Sequence, residues 1–129
     1  MEVAGSIFET DPDRERWTEG WMRPRDAGII AEADGTPIGV AWYRIFEVGE
    51  SGLSGPQTAL RVDPAHRRIG VGTTLIAKLI EAARSAGEVG IGGLVKRNNR
   101  GALRICDQFE LEPVPEYGDR SHLFVWLQF

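Results

Sequence analysis

Apolar residues recur at two different periods along this chain, and the change of period divides it into elements. From Ile38 to Phe46 the period is two: Ile38, Val40, Trp42 and Phe46 alternate with Gly39, Ala41, Tyr43 and Ile45. A strand apolar on both faces belongs in the middle of a sheet, covered above and below. Arg44 interrupts one face and is expected to reach toward the edge. Ala27 to Ala33 precedes it as another strand, and Asp34-Gly35 between them is a hairpin turn signal. From Val71 the period becomes helical, with Val71, Leu75, Ile76, Leu79, Ile80 and Ala83 on one stripe and Gly87 placed to end it. Val89 to Val95 is the next strand. Its glycines, Gly90, Gly92 and Gly93, imply a splayed or bulged strand, or close approach by a ligand. A further helix carries Ala102, Ile105, Cys106 and Phe109 as its buried stripe. Pro113 and Pro115 break the chain, and Ser121 to Phe129 is a final strand, apolar on both faces.

The ends of this pattern are less regular. Met1 to Phe8 is a first strand or a loose arm. Asp11-Pro12 opens a helix, as an N-cap followed by proline at the first helical position, and Pro24 ends it near Met22. Trp17 and Trp21 lie one turn apart on that helix. Glu47 to Pro56 reads as a loop-like insertion, because three glycines, two serines and a proline make it mobile. It is either a long hairpin connection or a flap carrying Glu47 and Glu50. The order predicts an α/β (α+β) fold with a mixed, mostly antiparallel sheet and helices on both faces.

Composition narrows the function classes. The 129 residues suffice for one domain with a real core and not for two. With 15 basic and 19 acidic residues the net charge is −4, which argues against a general nucleic-acid binder. The lone Cys106 excludes an internal disulfide and suits a reducing compartment. No apolar run approaches membrane-spanning length, and no basic start followed by an apolar block marks a signal peptide. The expectation is a cytoplasmic protein without a membrane partner or a metal site. The apolar terminal strand is either core or an edge that pairs in a homodimer.

The stretch from Thr58 to Ile76, TALRVDPAHRRIGVGTTLI, carries the strongest chemical signal. Thr58 to Val62 is β-prone, and Asp63-Pro64 stops it, since proline lacks a ladder donor. Arg67, Arg68, Ile69, Gly70, Val71 and Gly72 follow, and then the helix. The first N–H groups of a helix have no intrahelical partner, and the dipole adds positive potential there. Gly70 and Gly72 admit a ligand close to the backbone. A phosphate or pyrophosphate fits such a place, beside two guanidinium groups. It is not a P-loop, because no lysine follows Gly72, and not a dinucleotide fingerprint, because Leu75 stands where a third glycine belongs.

This stretch resembles the acetyl-CoA signature of the GNAT superfamily of acyl-CoA N-acyltransferases, which reads Arg/Gln, two residues, Gly, one residue, Gly/Ala. Arg67, Gly70 and Gly72 match it, and the flanking strand and helix match too. The resemblance covers roughly Ala27 to Phe129, with a reduced N-terminal part in a single domain. It implies a GNAT-like sheet that splays between the signature strand and the next, with acetyl-CoA in the gap. Backbone groups of Leu60, Arg61 and Val62 would pair with the pantetheine arm. The N–H groups of Arg67, Arg68, Ile69, Gly70, Val71, Gly72 and Thr73 would hold the diphosphate. Asn99 with Ala102 matches the family's Asn-x-x-Ala helix start; Asn99 contacts the cofactor arm or serves as a plain N-cap. Trp17 and Trp21 pack on the sheet or wall the acceptor pocket.

The reacting groups are thinner. Cys106 falls where many relatives carry a tyrosine that protonates the leaving thiolate, and it also fits as a small buried hydrophobe. Gln57 occupies the place of a glutamate base in some relatives, and glutamine cannot act as one. Glu32, Tyr43, Glu47, Glu50 and His122 are further candidates without motif support, and His66 reads as a solvated loop side chain. Three functions stay open: an N-acetyltransferase acting on a primary amine of a small molecule or peptide, a non-catalytic acyl-CoA-binding sensor or partner-binding domain, and a different phosphate-ligand binder.

Overall fold

The computed structural model describes residues 2–4, 27–48, 53–66 and 70–129. Among these residues, seven strands form one sheet: β1 (Glu2–Ala4), β2 (Ala27–Ala33), β3 (Thr36–Val48), β4 (Leu53–Val62), β5 (Gly90–Lys96), β6 (Glu112–Pro113) and β7 (His122–Gln128). Their order is β1-β2-β3-β4-β5-β7-β6, and only β4 and β5 run parallel. The fold is therefore the mixed, mostly antiparallel α/β sheet that the pattern predicts. The helix expected from Asp11-Pro12, with Trp17 and Trp21, lies outside the described residues, as do Glu50, Arg67, Arg68 and Ile69.

Helix α1 (Val71–Ser85) buries Val71, Leu75, Ile76, Leu79, Ile80 and Ala83, the six residues of the helical stripe. They meet Ala41 and Tyr43 of β3, Ile29 and Ala31 of β2 and Ile91 of β5 in the main core. Leu75, Leu79 and Ile91 are almost fully buried, and each side chain removed from water contributes roughly 2 kcal/mol. The helix ends as Gly87 predicts. Gly87, at φ 80°, donates its N–H to Arg84, and the Glu88 N–H reaches Ala83. That pair of bonds closes a Schellman motif. Helix α2 (Arg100–Gln108) packs on the same side: Ile105 and Phe109 touch the α1 core. Its stripe is half-buried and none of its residues is fully enclosed, because nine residues span too little of the sheet.

At three places the structure chooses between open readings. The segment 47–56 is mostly strand: β3 runs to Val48 and β4 starts at Leu53, with Glu47 opposite Ser54 and Val48 opposite Leu53. Cross-strand pairing overrides the local glycine and serine content, so this is a long hairpin and only residues 49–52 remain between its strands. The glycines of β5 are not all left for a ligand. A Cβ on Gly90 would run into the Trp126 indole and lie 2.6 Å from the Leu127 carbonyl, and one on Gly92 would lie 2.7 Å from the indole. A Cβ on Gly55 of β4 would lie 2.8 Å from the same ring. The indole of Trp126 thus reaches from β7 across β5 to β4 on the face away from α1, over three bare backbones. The terminal strand is no open edge either. β7 lies between β5 and β6, and its Phe124 and His122 carbonyls accept from the N–H groups of Val114 (2.8 Å) and Asp119 (2.9 Å).

Candidate acyl-CoA site

The site begins where β4 and β5 part. Their parallel ladder has a single rung, Gln57 opposite Gly92. Beyond it β4 continues to Val62 and β5 to Lys96 without pairing, so the two strands form a fork. On its other edge β4 pairs with β3 along its whole length. The Asp63 N–H donates to the Ile38 carbonyl at 2.7 Å, which fixes the phase of that ladder. Hydrogen-bonded and non-bonded pairs alternate in antiparallel strands. Arg61 and Ala59 therefore turn their backbone groups into β3, while Leu60 and Val62 present theirs to the fork. Two of the three predicted β4 positions carry outward amides, and Arg61 between them does not.

At the open end of the fork stands the N-terminus of α1. Asp63 first stops the strand and caps a 3-10 turn (Pro64–His66): its carboxylate lies 3.4 Å from the Ala65 nitrogen and 3.1 Å from His66 Nδ1. His66 is thus a half-exposed hydrogen-bond partner of Asp63. Gly70 is the N-cap of α1 at φ 85°, a left-handed conformation that glycine adopts without a Cβ penalty, and no side chain caps this helix end. Its carbonyl is taken by the Thr74 N–H (3.0 Å) and the Thr74 hydroxyl (2.9 Å). The first-turn N–H groups of Val71, Gly72 and Thr73 face outward at the positive end of the dipole. Nothing lies within 4 Å of a Cβ built on Gly70. Gly72 has a different reason: a Cβ there would come 3.2 Å from Ile105 and 3.4 Å from Leu60. It lets α1, α2 and β4 converge, in addition to shaping the loop.

Asn99 caps α2, its Oδ1 accepting from the Ala102 N–H at 3.1 Å. The plain N-cap role is realised, and the side-chain NH2 remains as a donor on an exposed residue. Burial pushes the Cys106 thiol pKa up, a backbone hydrogen bond opposes this, and the Asp107 charge adds to it. Cys106 is half-buried on α2 and stays protonated at neutral pH.

The three catalytic candidates are not brought together. Gln57 sits on the last rung of the fork, half-buried, and alternation along β4 puts its side chain on the face away from α1 and α2. Cys106 is on the α1 side. Glu32 pairs with Pro37, seven positions along β3 from the Arg44 that pairs with Gln57. At about 3.4 Å per residue it stands roughly 24 Å away along the sheet. Tyr43 is buried in the core. His122, the first residue of β7, is held by Asp119 and Ser121, the latter at 2.8 Å. Asp119 is exposed, and the N–H groups of Ser121 and His122 hold its carboxyl below the usual range.

One residue of the fork escapes sequence reasoning. Thr58, next after the last rung, has a buried hydroxyl oxygen with no hydrogen-bond partner. Such an orphan costs about 1–3 kcal/mol. Nothing local signals it, because the lack of a partner depends on β3, β5 and α1 together.

Comparison with known proteins agrees with this geometry. The model of the acetyltransferase (GNAT) family matches residues 2–109. A mycothiol acetyltransferase of Thermomonospora curvata is 29% identical over 119 residues, covering 83% of this chain; the chain spans 37% of that relative's length. Among solved structures, a ribosomal-protein-alanine N-acetyltransferase of Brucella melitensis superposes with a TM-score of 0.78 at 19% identity over 100% of both chains. The Campylobacter jejuni N-acetyltransferase PseH, in complex with acetyl coenzyme A, superposes with a TM-score of 0.70 at 17% identity, over 98% of this chain and 99% of that one. With the family model covering most of its length and a forked sheet that leads to an uncapped helix, this chain belongs to the acetyltransferase (GNAT) family.

Proposed function

We propose that this protein is an N-acetyltransferase that moves an acetyl group from acetyl-CoA to a primary amine of a small molecule or peptide by direct attack. The carrying observation is the fork: a ladder that stops at Gln57–Gly92, with outward amides beyond it that lead to the bare N-terminus of α1. The diphosphate of acetyl-CoA would lie on the N–H groups of Gly70, Val71, Gly72 and Thr73. Arg67, Arg68 and Ile69, just before Gly70 in the sequence, would supply charge and further donors. The pantetheine arm would run back along Val62 and Leu60 as an added strand, past Arg61, with the Asn99 side-chain NH2 beside it. The acetyl-CoA bound by the Campylobacter structure and the acetyl transfer in the Thermomonospora relative's name favour this donor.

The chemistry needs a neutral amine, a place for the developing oxyanion and a proton for the leaving thiolate. The new C–N bond forms as the C–S bond breaks; the amine proton passes to water, and the thiolate takes one from an acid. Cys106 keeps its proton at neutral pH and would serve as that acid, regaining a proton from the water that took up the amine's. Gln57 cannot take a proton but can hold a water molecule at the fork. Glu32 would act only through a chain of waters. A second reading, a non-catalytic acyl-CoA-binding sensor, draws on the placement of Gln57 and Cys106 on opposite faces.

Thermal denaturation with acetyl-CoA tests the proposal, since a ligand that binds only the folded state raises Tm. Tm should rise with acetyl-CoA, and the double variant Arg67→Ala/Arg68→Ala should bind on the order of tenfold more weakly. No shift at millimolar acetyl-CoA would overturn the site. Thiol release with a panel of amines then separates the enzyme from the sensor.

A further inference from the structure

Among the described residues, the Thr58 hydroxyl oxygen is the one buried side-chain nitrogen or oxygen without a hydrogen-bond partner. Buried polar atoms left orphaned in a folded protein call for an explanation, and its position offers one. Thr58 is the first residue beyond the last rung of the β4–β5 ladder. It stands opposite Tyr43 on β3, on the α1 side of the sheet. Its backbone still touches β5: a Cβ on Gly93 would come 3.0 Å from the Thr58 carbonyl oxygen. A ligand arm that starts at the N-terminus of α1 and runs back along Val62 and Leu60 can go no farther in the plane of the sheet than this vertex. The far end of the arm is the thioester.

We infer that the Thr58 hydroxyl is the hydrogen-bond donor for the acyl carbonyl oxygen of the bound acyl-CoA, an inference that rests on reading the fork as an acyl-CoA site. The residue as a whole is half-buried while its hydroxyl oxygen is enclosed. One step of χ1 exchanges hydroxyl and methyl, which suffices to turn the donor toward the vertex. No proton is transferred; the hydroxyl only donates to the oxygen on which charge develops.

Isothermal titration of wild type, Thr58→Val and Thr58→Ser with acetyl-CoA and with free CoA tests this. Free CoA lacks the acetyl group, carbonyl and methyl together, and ends in a thiol, but keeps the diphosphate and the whole pantetheine arm. Thr58→Val should leave the apo Tm unchanged or raised, because it removes an orphaned hydroxyl at nearly constant shape. It should bind acetyl-CoA roughly two- to tenfold more weakly and CoA as well as wild type does. Thr58→Ser should recover the acetyl-CoA affinity. A valine variant that binds acetyl-CoA like wild type overturns the inference, as does one that loses both ligands equally or melts lower when apo. A wild type that binds neither ligand overturns the functional reading and the inference with it.

Discussion

Single residues set the geometry of this sheet, Trp126 foremost. Its ring occupies the room that side chains at positions 55, 90 and 92 would need. Gly90→Ala should therefore destabilise by about 1–3 kcal/mol through overpacking against both the indole and the Leu127 carbonyl, read as a lower Tm. Glu110 offers the opposite case. It sits just past the end of α2 at φ 62°, and the Leu111 N–H bonds back to the Cys106 carbonyl at 2.9 Å. A glycine serves this left-handed position without strain, so Glu110→Gly should raise stability by about 1 kcal/mol in the same melts. Cys106 makes a prediction in pH. Because burial raises its pKa, the thiolate fraction at neutral pH is below that of an open cysteine. Iodoacetamide labelling of the native protein should be slow at pH 7.5 and should turn on at higher pH than in the unfolded chain. Stability linked to this thiol is full below its unfolded pKa and falls as pH rises through the raised folded value.

Among the elements, β4 is the one with two different edges. Its β3 edge is laddered from Leu53 to Val62, and its β5 edge is laddered at one rung. Amide hydrogen exchange reads this directly. The N–H groups of Ala59 and Arg61 should be protected with or without ligand. Those of Leu60 and Val62 should exchange quickly in the apo protein and slow on addition of acetyl-CoA; protection that does not change would contradict the added-strand mode. The sequence shows this element only in part. Thr58 to Val62 and the stripe from Val71 to Ala83 are legible because each signal lies within its own element. Residues 53–56 are read as loop because their strand character comes from partners on β3. The β5 glycines invite a ligand on paper, but the residue above Gly90 and Gly92 lies more than thirty positions later. Asn99 is legible both as a cap and as a donor, and the structure gives Oδ1 to the cap.

Over the whole molecule, the order of elements from β2 to β7 was readable except for the short β6, where Pro113 reads as a break, and the order of strands was not. Nothing local says that β7 slides between β5 and β6, nor that Gln57 and Cys106 end on opposite faces. Among the described residues no helix is long and apolar enough to cross a membrane, and no cluster of His, Cys, Asp or Glu could hold a metal ion. The larger consequence comes from the fork. One backbone rung joins β1–β4 to β5–β7, α1 bridges them on one side and a flat indole on the other. Mechanically that is two plates on a hinge, with an aromatic disc bearing on smooth glycine tracks. A guest prising the plates apart works against one amide contact and a sliding surface, where a fully zipped sheet would resist with every rung.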